Sequence, residues 1–163
     1  KAIVENFCLV IEKYPEMDMS RVGIYGWSFG GYFSAMAVMR RPDVFHVAVA
    51  GAPVCDWRDY DTHYTERYMG LPEENSSGYD HASVLTYCKD LERPLLIIHG
   101  TADDNVYFMH TLKMSNAIFR AGRRHELLPL SDFTHMVADP LVTRRLYERI
   151  SAFLAENLAS NSN

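Results

Sequence analysis

The chain has 163 residues, about one domain's worth and enough for a single sizeable core. Apolar residues at 48% and charged residues at 23% exclude a disordered chain, a collagen-like fibre and a coiled coil. Sixteen basic against twenty-one acidic side chains give a net charge of −5 without a basic block, and no apolar run approaches the roughly 18 residues of a membrane span. Neither nucleic acid nor a membrane span is therefore expected.

Ala2 to Tyr14 places Ile3, Phe7, Val10, Ile11 and Tyr14 at steps of three and four, which predicts an amphipathic helix ended by Pro15. Arg21–Tyr25 is a short strand that runs into Gly26. Ser28 to Arg41 reads as a helix stopped by Pro42, and Val44 to Ala50 as a second, buried strand. From Ala52 to Leu91 the chain is irregular and aromatic-rich, with short helical stretches around Tyr60–Tyr68 and His81–Tyr87. Pro94–His99 is a continuous apolar run, expected of a central parallel strand covered on both faces. Val106 to Ala121 is a helix ending at Gly122, and His125–Leu130 a fourth strand, which Pro129 places near a sheet edge. Leu141 to Leu158 is a terminal helix, followed by the polar tail 159–163. Strand–helix alternation of this kind predicts an α/β fold with a parallel sheet. The domain organisation expected is one partial domain over 1–158 plus the tail.

Cys8, Cys55 and Cys88 are too few and too scattered for a disulfide framework, and no Cys/His cluster has metal-ligand spacing. No metal or cofactor is expected. The chain begins at Lys1 without an initiator Met or a signal-like segment, which reads as a trimmed start or a piece of something longer.

The strongest local signal is Gly26-Trp27-Ser28-Phe29-Gly30, a GxSxG that composition alone would produce roughly 0.05 times in such a chain. It follows a strand and opens a helix, the context of a nucleophile elbow. Glycines flank the serine because side chains there would collide with the crossing strand and helix. The turn presents Ser28 at the sheet's C-terminal edge, where the backbone N–H of Phe29 can donate to an oxyanion. A serine hydroxyl needs a base. Of seven histidines, His99 lies inside a buried strand and reads as a core residue. His46 and His125 flank strands, His110 is on a helix, and His63 and His81 are packing or surface residues. Only His135 lies in the loop after the last strand, so it is the base. The acid comes from the loop after the preceding strand, as Asp103 or Asp104; spacing does not separate them, and the other one caps the helix near Val106. The order Ser, Asp, His is that of the α/β-hydrolase class.

With Gly26-Trp27-Ser28-Phe29-Gly30-Gly31-Tyr32, Ala52-Pro53-Val54 with Trp57 and Tyr60, Tyr64-Thr65-Glu66-Arg67-Tyr68-Met69-Gly70, and His99-Gly100-Thr101-Ala102-Asp103-Asp104-Asn105-Val106, the chain resembles the dipeptidyl peptidase IV branch of the prolyl oligopeptidase family. The resemblance runs from about Lys1 to Leu158. It implies Ser28 as nucleophile, Asp103 rather than Asp104 as acid, and His135 as base. It further implies that Val54, Trp57, Tyr60, Tyr64 and Val106 line an apolar pocket for a proline or alanine, and that Asn105 holds the carbonyl of the residue before it. A compact ring without an N–H suits aromatic walls free of unpaired polar groups. Tyr68 is left as structural, and Glu66 with Arg67 as a local ion pair.

The implied activity is a serine exopeptidase that releases N-terminal dipeptides from peptide substrates. In that family further sheet strands and a propeller precede the elbow and supply a second oxyanion donor and the glutamates that grip the free amino terminus. None of these is in the 163 residues, so the chain reads as the C-terminal part of a catalytic domain, poorly active alone and with the elbow strand at a sheet edge. Family members are often dimers, which makes a homo-oligomer the expected state, and they occupy several compartments. Rival readings are a tripeptidyl or acylaminoacyl peptidase, an esterase on the same scaffold, or a catalytically inactive fragment.

Overall fold

The structure, a computed structural model, describes residues 13–159. The expected first helix falls outside these residues up to position 12, and the polar tail from position 160. Four strands form one sheet: β1 (Gly23–Trp27), β2 (Val47–Gly51), β3 (Leu95–Gly100) and β4 (Glu126–Leu130). They lie side by side in sequence order and every pair is parallel, with Tyr25 opposite Val49, Val49 opposite Leu96, and Ile98 opposite Leu128. Parallel neighbours require crossovers. These are α1 (Phe29–Arg40), the irregular segment carrying α2 (Thr62–Met69) and α3 (Ser76–Ala82), and α4 (Met109–Arg120), while α5 (Pro140–Leu158) follows β4.

The alternation of side chains along β2 and β3 divides the core in two. Ala48, Ala50, Leu95 and Ile97 pack under Ala35, Val38 and Met39 of α1 and Met114 and Ile118 of α4. Val47, Val49, Leu96 and Ile98 face the other way, onto Leu146, Ile150 and Phe153 of α5. Every residue of β2 and β3 is buried, which explains why these strands are continuous apolar runs, whereas β1 and β4 stand at the two edges and are partly exposed. Pro129 lies in edge strand β4, as its missing N–H demands. Cys55 and Cys88 are free, buried thiols, and burial pushes the Cys88 thiol up to about 12.

Local signals set most element ends. The Asp61 carboxylate accepts the Tyr64 N–H at 2.8 Å and starts α2; Asp139 accepts the Val142 N–H at 2.9 Å ahead of Pro140 and starts α5. Three expectations need correction. The helix expected from Val106 begins only at Met109, because residues 104–108 form turns. Glu66 and Arg67 form no ion pair: neighbours in sequence point to different sides of a helix, and the Arg67 guanidinium instead lies 5.9 Å from the centre of the Tyr68 ring. The second helical stretch splits into α3 and a 3₁₀ segment, Val84–Asp90, around Ser83.

Candidate active site

Among the described residues the only non-glycine positions with positive φ are Ser28, Ala52 and Asp132. They follow the C-terminal ends of β1, β2 and β4, the edge of a parallel sheet where ligands bind. Ser28 has φ 60° and ψ −117°, a strained conformation held from both sides. Its N–H donates to the Gly51 carbonyl at 2.8 Å, and its carbonyl accepts the Tyr32 N–H at 3.0 Å. The turn is tight enough that a Cβ on Gly26 would run into the Gly30 backbone and one on Gly31 into the Gly51 carbonyl. The expectation that Gly30 is also sterically required is corrected, since a Cβ there would meet open space. Phe29 is the first residue of α1, so its N–H has no partner within the helix and points to the same end as the serine.

The loops after β4 and β3 converge on the Ser28 turn. His135 Nε2 lies 3.0 Å from Ser28 Oγ, and His135 Nδ1 lies 2.7 Å from Asp103 Oδ2. Because an ionised carboxylate only accepts, Nδ1 carries the proton and Nε2 is left to accept from the serine hydroxyl. The Asp103 side chain is fully buried and that of His135 is 14% exposed. Asp104 is exposed and caps nothing. The N–H groups of Asn105 and Val106, where the cap was expected, donate to Asp103 Oδ1 at 3.0 and 2.9 Å. His99 Nε2 lies 2.8 Å from the Val106 carbonyl and 3.2 Å from Asp103 Oδ2, and His99 Nδ1 lies 2.7 Å from Thr111 Oγ1.

The loop that bears His135 is held by groups sequence reasoning passed over. Trp27 Nε1–H donates to the His135 carbonyl at 2.9 Å. The Phe133 carbonyl accepts the Ala102 N–H at 3.1 Å, and the Asp132 N–H donates to Thr101 Oγ1 at 2.9 Å. Gly100 lies so close beneath that a Cβ would strike the Phe133 carbonyl. The tryptophan inside the GxSxG and the glycine after the buried strand were the available signals.

Beside the serine, the rings of Phe29, Tyr32, Trp57, Tyr60, Tyr64 and Tyr68 form one continuous aromatic cluster, with neighbouring centres between 5.1 Å (Tyr32–Trp57) and 6.1 Å (Trp57–Tyr64). A cavity of about 380 Å³ opens against it, lined by Phe29, Tyr32, Trp57, Tyr64, Tyr68 and Met69 among others. Of the expected pocket residues, Trp57 and Tyr64 face this cavity. Val54 and Val106 are buried with Trp57 and Tyr79 in a cluster against which Tyr60 packs. Tyr60 donates its hydroxyl to Asn105 Oδ1 at 2.8 Å, which leaves the amide N–H groups of Asn105 free to donate elsewhere. Burial raises the Tyr60 phenol above its ordinary value, so it remains a donor. Tyr68, read as structural, lines the cavity and is 70% exposed; its place four residues after Tyr64 on α2 was the signal. The described residues hold no group of three His, Cys, Asp or Glu side chains able to bind a metal, and no helix among them is long and apolar enough to cross a membrane.

The sequence profile of the prolyl oligopeptidase family matches residues 3–161. The chain is 41% identical to human dipeptidyl peptidase 8 over 160 residues, which is 96% of this chain and 18% of that protein. It is 38% identical to pig dipeptidyl peptidase 4 over 143 residues, 86% of this chain and 19% of the relative. The crystal structure of Porphyromonas gingivalis dipeptidyl peptidase 4 superimposes with a TM-score of 0.86 at 40% identity, covering 91% of this chain and 21% of that one. The chain thus spans about a fifth of the length of the relatives it matches.

Proposed function

This chain belongs to the prolyl oligopeptidase family, in the dipeptidyl peptidase IV branch that its sequence resembles, and we propose that it carries the acyl-transfer machinery of a serine exopeptidase. In this reading residues 1–158 are part of an α/β-hydrolase catalytic domain, with the triad Ser28, Asp103 and His135. The observation that carries the reading is the unbroken hydrogen-bond chain from Asp103 Oδ2 through both nitrogens of His135 to Ser28 Oγ.

The geometry supports a two-step reaction. As Ser28 Oγ bonds to the substrate carbonyl carbon, its proton passes to His135 Nε2. Asp103 holds the ring in place and stabilises the imidazolium that results. The carbonyl oxygen becomes an anion in reach of the Phe29 N–H at the start of α1, and an ion of that sign is favoured at a helix N-terminus. His135 returns the proton to the leaving amine, which departs and leaves an acyl-enzyme. Water then enters and bonds through its oxygen to the acyl carbon while its proton passes to His135 Nε2; the bond to Ser28 Oγ breaks, and His135 returns that proton to Oγ as the acid is released.

For substrate choice we propose a peptide with proline or alanine before the scissile bond. Trp57, Tyr60 and Tyr64 would contact the ring over the buried Val54 and Val106, and Asn105 would donate its freed amide N–H to the carbonyl before it. Release of a dipeptide, and the homodimer that the family resemblance implies, are proposals about the whole protein.

The test is steady-state hydrolysis of a Gly-Pro anilide by the full-length protein. Activity is expected, with Ser28→Ala lowering kcat by at least about 10⁴-fold and removing labelling by a fluorophosphonate probe. Full turnover by that variant overturns the triad. Faster turnover of tripeptide or N-acyl substrates reassigns the specificity within the same scaffold. A monomer at all concentrations in sedimentation removes the dimer.

A further inference from the structure

Strand β3 breaks its apolar run at His99, a fully buried imidazole four residues before Asp103. Its surroundings determine its proton. Nε2 faces two acceptors, the Val106 carbonyl at 2.8 Å and Asp103 Oδ2 at 3.2 Å, so a bare Nε2 there would set three lone pairs against one another. Nε2 therefore bears the hydrogen. Nδ1 then accepts from the Thr111 hydroxyl on α4 at 2.7 Å, which locks the tautomer from behind. The Phe108 ring packs edge-on at 5.5 Å between centres, and the imidazoles of His135, from the loop after β4, and His110, on α4, lie within electrostatic reach. Burial holds the His99 imidazole below its ordinary value, consistent with a neutral donor.

We propose that His99 is a positioning residue of the triad: its Nε2–H gives Asp103 Oδ2 a second donor beside His135 and pins the acid's loop at both ends. The proposal rests on the reading of Ser28, Asp103 and His135 as a triad. Asp103 is then gripped by four donors, Asn105 and Val106 N–H on Oδ1, and His135 and His99 on Oδ2. The carboxylate cannot rotate without giving up at least two of them. The same His99 proton holds the Val106 carbonyl, so one N–H spans the turn from 103 to 106. Sharing Oδ2 also spreads the carboxylate's charge, which tempers its pull on the His135 proton.

The test compares His99→Leu, His99→Gln and Thr111→Val in the full-length protein, with kcat and KM for a Gly-Pro anilide measured across pH and folding followed by near-UV circular dichroism. His99→Leu is expected to lower kcat about 10-fold or more, the worth of one hydrogen bond to a charged group, with KM little changed. The acid limb of its pH profile should move to higher pH, because Asp103 without the second donor keeps its charge undivided beside the base. His99→Gln, which keeps a neutral N–H and an acceptor for Thr111, should recover most of the rate. Thr111→Val should lose about 3-fold, with the limb moved the same way. Wild-type kcat and an unmoved limb in His99→Leu and Thr111→Val overturn the proposal. So does an equal loss in His99→Leu and His99→Gln that follows only the folded fraction. If His99→Leu does not fold, the other two variants decide by the same criteria. Retained activity in Ser28→Ala marks failure of the triad itself, whereas loss there beside unaffected His99 and Thr111 variants marks failure of this proposal alone.

Discussion

The turn from Gly100 to Val106 and the aromatic stretch from Trp57 to Tyr68 flank the same serine and are built on opposite principles. In the first, both Asp103 oxygens and both His99 ring nitrogens have partners, at 2.7 to 3.2 Å. In the second, six rings touch one another and leave a cavity of about 380 Å³ against their faces. A closed polar network is sensitive to loss of a partner, because each one removed leaves a buried charge or dipole unpaired. An apolar wall is graded, since removing a ring costs area and shape rather than a balance of charge.

That contrast orders the expected effects. Asp103→Asn sets an amide against a ring nitrogen that must donate, and should lower kcat by roughly 10⁴-fold while circular dichroism stays unchanged. A loss under 10-fold would place the turn with the graded wall. Gly100→Ala drives a methyl group into the Phe133 carbonyl and shifts the His135 loop. A displacement on the order of 1 Å should cost about 10²-fold in kcat, with KM nearly constant. Tyr64→Ala, on the wall, should act mainly through KM for a Pro substrate, by about 10-fold, and spare substrates without a ring there. Tyr60→Phe frees Asn105 Oδ1 and lets the amide turn, for about a 3-fold rise in KM.

The smallest effect concerns stability and pH. Burial lowers the pKa of His99, His110 and His125 in the folded chain. The unfolded chain then binds protons at these sites that the folded one refuses, so the stability they contribute is complete above the ordinary imidazole value near 6.5 and is lost as pH falls through and below it. Urea midpoints should decline from pH 7.5 to pH 5.5, and less steeply in His125→Gln. An unchanged slope in that variant would remove its share.

Much of the site was legible because parallel topology brings strand ends together. A serine after β1, an acid after β3 and a histidine after β4 must meet at one edge, whatever their separation in sequence. The choice between Asp103 and Asp104 was not legible from spacing, because it depends on which of two adjacent carboxylates turns inward to collect the Asn105 and Val106 N–H groups. The late start of α4 was not legible either: residues 104–108 form turns, and the Val106 carbonyl meets His99 Nε2 instead of a helical N–H. The aromatic residues could be seen in the chain, but not which of them face the cavity. Tyr68 does so because α2 sets it one turn beyond Tyr64, while Val54 and Val106 sink into the core beneath Trp57.

The sequence by itself determined the α/β class, the bend at Ser28 and the order in which serine, acid and histidine follow the strands, since these follow from periodicity, glycine placement and chain direction. Only the tertiary structure decided which carboxylate is gripped, which way the His99 proton points and which rings border the open space. Those outcomes depend on how groups from separate elements meet, such as His99 with Thr111 and Ser28 with His135, 12 and 107 positions apart, and no local pattern encodes that meeting.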